Sequence, residues 1–228
     1  MKHLYAVVAA AAMLFAIDAS AQLSHGIRFG VVGGFTSTNT HLKEFDYRNV
    51  SLFHVGATVK FNLGAGFALQ PALTYQVKGT ELNAQDPETA SLEEIWTNMD
   101  ARVGYLELPL QIQWGPDLMA LRPYAFVEPF FGYGVNFHAE AENSDGAVID
   151  NLKNKWKEAA LSHLEYGMGF GGGIEVNHFQ ISAQWFMNFG GLADENGKVD
   201  GHVIGETIMD HLKKKNFQGF KISLAVLF

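Results

Sequence analysis

The stretch YGMGFGGGIEV at residues 166–176 contains the spacing G-x-G-x-x-G, formed by Gly167, Gly169 and Gly172. In dinucleotide-binding proteins this spacing lets the backbone approach a pyrophosphate at the start of a helix. Such a site needs a strand before the glycines and a helix after them. Here a turn is predicted at Asn177-His178, and it leads directly into another strand. The sequence therefore predicts that these glycines serve a strand and not a phosphate loop.

Other groups that could perform chemistry are few. Glu206 and Asp210 would share one face of a helix, beside His211, and could bind a hard cation, although a solvated acidic face is the simpler interpretation. The chain has no cysteine, which excludes disulfides, thiolate zinc sites and a cysteine nucleophile. The motifs G-x-S-x-G and H-E-x-x-H are also absent. We therefore predict no metal and no cofactor. A lipid-modifying enzyme that uses Ser162, His163 or His211 at one rim is kept as an alternative.

The N-terminus has the features of an export signal. Met1-Lys2-His3 is weakly basic, an apolar stretch runs from Leu4 to Ile17, and Ala19-Ser20-Ala21 matches the small-x-small cleavage pattern. We predict a signal peptide at residues 1–21 and one domain at 22–228. The formal net charge of −8 argues against a nucleic-acid partner.

The rest of the chain alternates between apolar and polar residues with a period of two, which is the pattern of β-strands with one apolar face. In the C-terminal segment, Phe220, Ile222 and Leu224 share one parity, whereas Lys221 and Ser223 share the other. The pattern recurs to give eight predicted strands, each long enough to cross a bilayer at a tilt. They lie at 27–36, 53–61, 67–78, 105–114, 127–138, 164–177, 179–189 and 219–228.

The connections between these strands alternate between short turns and long loops, as in outer-membrane barrels with short periplasmic turns. No apolar run after the signal approaches the length of a transmembrane helix. The apolar face is bulky and aromatic on every strand, and the polar face mixes glycines with charges. We therefore predict an all-β, eight-stranded, antiparallel up-and-down transmembrane β-barrel in the outer membrane. A soluble, lipocalin-like barrel with apolar side chains inside is the alternative.

The polar faces of the predicted strands carry a set of charges that would meet inside the barrel. Buried charges are tolerated when they are paired, and the positive and negative groups cancel. We predict a salt-bridged, non-conducting lumen, with a charged translocation or proton path as the alternative. The same parity places His54 and His138 inside and Phe137 outside, and the strand glycines are expected to leave room for long Lys and Arg side chains. The eight charged residues are Arg28, Lys60, Lys78, Lys221, Glu107, Glu128, Glu165 and Glu175.

Three of the long loops carry amphipathic helical patterns. The first begins at Asp86-Pro87, where Asp is a good N-cap and Pro a good first helical residue. Helices of this kind pack against one another and the barrel rim, or they dock a partner protein or a surface lipid. In the second of these loops the pattern consists of Leu152, Trp156, Ala159 and Ala160. On the docking hypothesis, the partner contacts are Leu92, Ile95, Trp96 and Met99 in one loop, Trp156 in another, and Ile204 and Ile208 in the last.

Several short segments resemble the PorT-like outer-membrane β-barrel family of Bacteroidota. They are Tyr105-Leu106-Glu107-Leu108-Pro109-Leu110, Pro123-Tyr124, and Phe131-Gly132-Tyr133-Gly134, together with the Ser-Ala before Gln22 and the terminal Phe228. The resemblance implies the barrel fold and the outer membrane, with Phe228 as the signal read by the barrel assembly machinery. One member of that family is linked to the type IX secretion system, and no catalytic residue is implied.

These observations lead to one function hypothesis. We expect a structural or accessory component, serving a surface secretion or assembly complex, whose partners are outer-membrane lipid, the barrel assembly machinery and a membrane or secretion partner protein. Binding of a small ligand in the barrel mouth is a further alternative.

Overall fold

The computed structural model describes residues 26–39, 46–48, 50–83, 98–143, 145–156, 161–190 and 217–228. Several predictions fall outside these residues. They are the signal peptide at 1–21, the acidic pair Glu206 and Asp210 with His211, the helix start at 86–88, the helical pattern at Ala159 and Ala160, and the proposed contacts Leu92, Ile95, Trp96, Ile204 and Ile208.

The described residues form antiparallel β-strands. Their bounds are β1 Ile27–Asn39, β2 Asp46–Arg48, β3 Val50–Gly64, β4 Phe67–Asn83, β5 Asn98–Trp114, β6 Leu121–Glu142, β7 Val148–Lys153, β8 Leu164–Val176, β9 Phe179–Asn188 and β10 Gln218–Leu227. Within these ranges no helix has the length and apolar character needed to span a bilayer.

Eight of the strands close into a ring. Each of them pairs with its two neighbours in the order β3, β1, β10, β9, β8, β6, β5, β4, and β4 returns to β3. The two short strands lie outside the ring, with β2 paired to β4 and β7 paired to β6. The predicted eight-stranded antiparallel barrel is confirmed.

The pairings fix how far the strands are staggered. One row of partners starts at Phe67 and passes through Trp114, Ala125, Gly172, Ala183, Ile222, Phe35 and Phe53. Because His54 pairs with Gln76, Phe53 lies opposite position 77, so the row returns to β4 ten residues above its start. In closed barrels such a stagger goes with a strand tilt of about 35–45°. An eight-stranded ring then has an interior just wide enough to be filled by side chains.

The two faces of the ring have the polarity predicted for a membrane barrel. Outward-facing side chains are large and apolar, and Phe35, Leu108 and Ile181 expose 73%, 58% and 60% of their surface. Inward-facing side chains are mostly polar, and Lys60 and Gln113 are completely buried. A soluble lipocalin-like barrel would show the opposite arrangement, with apolar side chains inside. The structure therefore excludes that alternative.

Near the long-loop end of the barrel, β6 changes the face that each residue presents. Gly104 of β5 pairs with Asn136, but the next residue, Tyr105, pairs with Gly134, so Val135 is an extra residue in β6. Such a bulge moves the following side chains to the opposite face. Phe137 is therefore buried and His138 is exposed. The predicted faces of these two residues are wrong.

The strands continue beyond the ring at the long-loop end, where the sequence predicted loops. Met99 lies in β5 and Leu152 in β7, and both are buried, so the helical patterns predicted at these two positions are wrong. Leu152 pairs with Ala139 of β6. The extensions of β4, β5 and β6 therefore form a sheet with β2 and β7 that stands above the ring, called the upper sheet below.

Candidate functional site

The interior of the ring is the candidate site. All eight charged residues predicted for the lumen point inward, and the structure adds Arg122 to them; these nine side chains are called the lumen charge cluster below. They form three groups, stacked from the short-turn end to the long-loop end.

The group nearest the short turns is centred on Glu175. Strand pairing places Arg122 directly opposite Glu175, and Arg28 directly opposite Lys60. The Glu175 carboxylate forms ion pairs with Arg28 and Lys60, and Arg122 Nη1 lies 3.7 Å from its Oε2. Gln180 Nε2 donates a further hydrogen bond of 2.8 Å to the same carboxylate. Three cations therefore surround one carboxylate.

The middle group is centred on Glu128. Lys221 Nζ and Gln184 Nε2 each donate to Glu128 Oε1 at 2.8 Å, and Gln111 Nε2 donates to Oε2 at 2.7 Å. His54 lies beside this group, with ring nitrogens 3.0 Å from Thr36 Oγ1 and 2.9 Å from Ser223 Oγ. A cavity of about 30 Å³ separates the two sets of side chains. That volume holds one or two water molecules.

The third group is centred on Lys78, whose side chain is completely buried. Its ammonium lies 2.7 Å from Glu107 and 2.9 Å from Glu165, and Asn188 Nδ2 donates to Glu165 at 2.6 Å. The rings of Phe130, Phe186 and Tyr105 surround the same ammonium, with centroids at 4.5, 5.0 and 5.5 Å. Aromatic faces attract a desolvated cation, so they compensate part of the lost hydration.

Gly132 provides the space for this third group. It pairs with Glu107 on one side and with Glu165 on the other. A Cβ at this position would lie 2.6 Å from Glu165 Oε1. The two carboxylates can approach Lys78 together because the residue between them has no side chain.

The glycines of β8 have a different role from the one predicted. The Cβ atoms that Gly167, Gly169 and Gly173 lack would collide with side chains of Phe130, Gln184 and Tyr124, respectively. The space therefore holds aromatic rings and an amide, and the expectation that it holds Lys and Arg side chains is wrong. Gly172 faces outward, where a Cβ would be 3.3 Å from the Tyr124 carbonyl oxygen. No helix follows, since Asn177 and His178 turn directly into β9.

Arg122 is absent from the predicted lumen charges because the predicted strand begins at Val127. The strand begins at Leu121, and Arg122 has the same parity as Tyr124, Phe126 and Glu128. All four are buried on the lumen side. Continuing the period of two back to Leu121 would have found Arg122, which donates to Gln113 Oε1 at 3.0 Å and to the Gly66 carbonyl at 2.9 Å.

At the long-loop rim, the predicted contact Trp156 packs inward and is half-buried. Its ring lies against Gly134, where a Cβ would collide with it, and stacks on His163 with centroids 4.0 Å apart. His163 stacks in turn on Tyr133 at 5.2 Å, and its Nδ1 donates to the Gly134 carbonyl oxygen at 3.0 Å. Ser162 Oγ donates to the backbone carbonyl of Leu164 at 3.2 Å. Ser162 and His163 are thus each committed to backbone partners.

The outer face of the upper sheet is mostly polar, although β7 also exposes Val148 and Ile149. In the strand register, Asp100 lies opposite Glu81 of β4 and opposite Glu140 of β6, and these three residues help to line a recess of about 340 Å³. Arg102 lies 2.6 Å from Asp100, and His138 lies 3.2 Å from Glu140. Within the described ranges, no group of three or more His, Asp or Glu side chains could hold a metal ion.

The cations of the lumen charge cluster are all ion-paired. Every cation in it has a carboxylate within ion-pair distance, and amides occupy further carboxylate lone pairs. Breaking a buried pair by removing one partner costs about 3–5 kcal/mol, because the other charge stays buried. Such an arrangement ties β1, β3, β4, β5, β6, β8 and β10 together across the interior and fills that interior with side chains.

Comparison with known proteins identifies a matching protein family. A family model described as "Outer membrane protein beta-barrel domain" matches residues 19–193. A comparison with curated proteins finds no significant match. Solved structures with a similar fold include Ail of Yersinia pestis, at 8% identity, TM-score 0.41, and coverage of 89% of this chain and 99% of that chain. OprG of Pseudomonas aeruginosa is similar at 12% identity and TM-score 0.44, covering 89% and 96% of the two chains. A major outer membrane protein of Thermus thermophilus is similar at 9% identity and TM-score 0.45, covering 90% and 100%.

Proposed function

Because the chain belongs to the outer membrane protein beta-barrel domain family, and its place is therefore the outer membrane, we propose that it acts there as a sealed, non-conducting barrel. On this proposal the protein is a structural or accessory component of the membrane surface. The short-turn end faces the periplasm and the upper sheet faces outward, as is usual for such barrels.

The observation that carries the proposal is the filling of the lumen. The three groups of the lumen charge cluster lie one above another, and Lys60, Lys78 and Glu107 expose 1% of their surface or less. In the middle group, the cavity of about 30 Å³ between Glu128 and His54 is too small for anything larger than water. A solute could pass only if several buried ion pairs opened together, and each broken pair costs about 3–5 kcal/mol.

A second, apolar layer supports the same proposal. The inward face of the upper sheet carries Met99, Ala101, Phe137, Ala139 and Leu152, each exposed by 7% or less. These residues belong to β5, β6 and β7, beyond the position of Lys78 in the lumen. An ion that crossed the charged groups would then meet a packed apolar region.

Electrical recording tests the sealed lumen. Purified protein in planar bilayers should give no stable unitary conductance, while a porin reconstituted in parallel opens normally. Arg102→Ala serves as a control variant, since it removes a cation of the upper sheet outside the lumen. It should give the same absence of conductance as the unchanged protein. A reproducible pore from correctly folded protein would contradict the proposal.

The accessory role has separate support. The upper sheet presents a polar outer face, and the chain resembles a family in which one member is linked to the type IX secretion system. We infer that the upper sheet meets a partner protein of a surface secretion or assembly complex. A photocrosslinking residue at Asn151 or Lys153, both exposed on β7, should capture a recurring protein neighbour in intact cells. The same residue at Ile174, on the lipid-facing surface, is the control, and equal products from both positions would contradict the role.

A further inference from the structure

The turn between β5 and β6 carries exposed apolar side chains that take no part in sealing the lumen. Leu118 and Leu121 exchange backbone hydrogen bonds of 2.8 and 3.0 Å, so Met119 and Ala120 form a two-residue hairpin loop. Leu118 and Leu121 are 55% and 40% exposed, and Met119 is completely exposed. We propose that this turn inserts these three apolar side chains into the phospholipid headgroup layer of the inner leaflet and anchors the barrel on its periplasmic side.

The backbone at the tip supports a use for the Met119 side chain. Met119 has a φ of 53°, in the left-handed region. Glycine is the residue that adopts this conformation without strain in a two-residue hairpin loop. The other described turns at the short-turn end are small or polar at their tips, with Ala65-Gly66 in one and Asn177-His178 in the other. A large apolar side chain at a strained, fully exposed position points to a contact outside the chain.

The position of the turn along the barrel favours lipid as that contact. The outward-facing residues of β6 are apolar from Leu121 to Val135, and Tyr133 is the last aromatic residue among them. Aromatic residues mark the boundaries of the apolar band in such barrels. At about 3.3 Å per residue and a tilt of about 35–45°, the twelve residues from Leu121 to Tyr133 span about 30 Å along the membrane normal. The apolar band of such barrels is about 25 Å tall. With Tyr133 at the outer boundary, the turn lies just beyond the inner boundary, in the headgroup layer.

The turn also has the two-sided character of an interfacial segment. Leu118 pairs with Leu121, so both continue the lipid-facing row of β6. Asp117 points to the other side, where its carboxylate is 75% exposed and lies 3.5 Å from Arg122 Nε. Apolar side chains next to the acyl chains and a charged group next to water are the arrangement found in segments that lie in the membrane interface.

Because the chain has no cysteine, a single introduced thiol can carry an environment-sensitive fluorophore. The label is placed at Met119→Cys in protein reconstituted in phosphatidylethanolamine–phosphatidylglycerol vesicles. Two reference positions calibrate it: Asp145→Cys in the exposed β6–β7 turn for water, and Ile174→Cys on the lipid-facing side of β8 for acyl chains. Iodide in the buffer and nitroxide lipids labelled near the headgroup are the two quenchers.

The proposal predicts that the label at 119 emits at a shorter wavelength than the label at 145. It should lose most of the iodide quenching and be quenched strongly by the headgroup-proximal nitroxide lipid. Adding Leu118→Asn and Leu121→Asn should return the label at 119 toward the behaviour of the label at 145 while the barrel stays folded. If the label at 119 matches the label at 145 without those changes, the turn projects into the periplasm, and the anchor is refuted in favour of a periplasmic protein contact.

Discussion

Replacing Lys78 by methionine tests the energetics of the lumen most sharply. The substitution removes the charge but keeps a long, unbranched side chain, and the surrounding rings of Phe130, Phe186 and Tyr105 accept a thioether. Packing should therefore change little. Glu107 and Glu165 lose the ammonium that lies 2.7 and 2.9 Å away and face each other without a cation.

The magnitude follows from the burial of all three groups. Removing one member of a buried ion pair costs about 3–5 kcal/mol. Since 1.4 kcal/mol corresponds to tenfold, the unfolding equilibrium should shift by about two to four orders of magnitude. Urea-induced unfolding in lipid vesicles, followed by tryptophan fluorescence and by the mobility of the folded form in gels, measures the change.

Two further variants separate charge from packing. Adding Glu107→Gln and Glu165→Gln to Lys78→Met removes the unpaired carboxylates and should recover most of the lost stability. Arg102→Met removes an exposed ion pair with Asp100 and should cost less than about 1 kcal/mol. If Lys78→Met costs no more than Arg102→Met, or if the glutamine changes give no recovery, the buried charges are not what holds the lumen together.

Three further predictions concern glycines and the C-terminus. Gly171→Ala should destabilise the barrel by about 1–3 kcal/mol in the same urea assay, because the added Cβ would collide with β9. Gly172→Ala, on the lipid face, should change the free energy of unfolding by no more than about 0.5 kcal/mol. Equal effects of the two substitutions would contradict the assignment of faces. Gly134→Ala should displace Trp156, shifting its emission to longer wavelength and making residues 154–163 more sensitive to protease; unchanged emission would contradict the packing. Deleting Phe228 should lower the fraction of folded barrel in the membrane at equal synthesis, and an unchanged fraction would contradict its role as an assembly signal.

The strands inside the membrane could be predicted from the sequence because the two faces of each strand have different solvents. A lipid-facing residue must be apolar, and a residue in a narrow lumen must be polar and paired or very small. Rows such as Phe220, Ile222 and Leu224 against Lys221 and Ser223 therefore keep their parity over the whole crossing. The same rule identified the eight charges of the lumen.

Outside the membrane-spanning part of the strands, outward-facing residues no longer have to be apolar, and several predictions for that part were wrong. The inner face of the upper sheet is apolar and its outer face is polar, which reverses the membrane pattern. Met99 and Leu152 matched an amphipathic helix, since an apolar residue at every second position also satisfies part of a helical spacing. A bulge at Val135 reversed the faces of Phe137 and His138, and a one-residue insertion of this kind leaves no composition signal.

Pairing between distant residues could not be read from one sequence. The parity of Glu175 shows that it faces inward, but its approach to Arg28, Lys60 and Arg122 depends on the ten-residue stagger of the ring. For the same reason, the β8 glycines were correctly placed in the lumen while the side chains that use their space were not. Those side chains belong to β6 and β9, and the strand register alone decides which of them arrive there.

The most direct test of the sealed membrane barrel is the reactivity of single cysteines with a charged, membrane-impermeant maleimide in intact and in permeabilised cells. Ser182→Cys places a thiol of almost unchanged shape in the lumen, Ile181→Cys places one on the lipid face, and Asp145→Cys places one in an exposed turn. The account predicts that only the thiol at 145 reacts in the folded protein, and that all three react after unfolding. Reaction at 182 in the folded barrel would reveal a water-filled lumen, reaction at 181 would show that the apolar face is not in lipid, and either result would contradict the account.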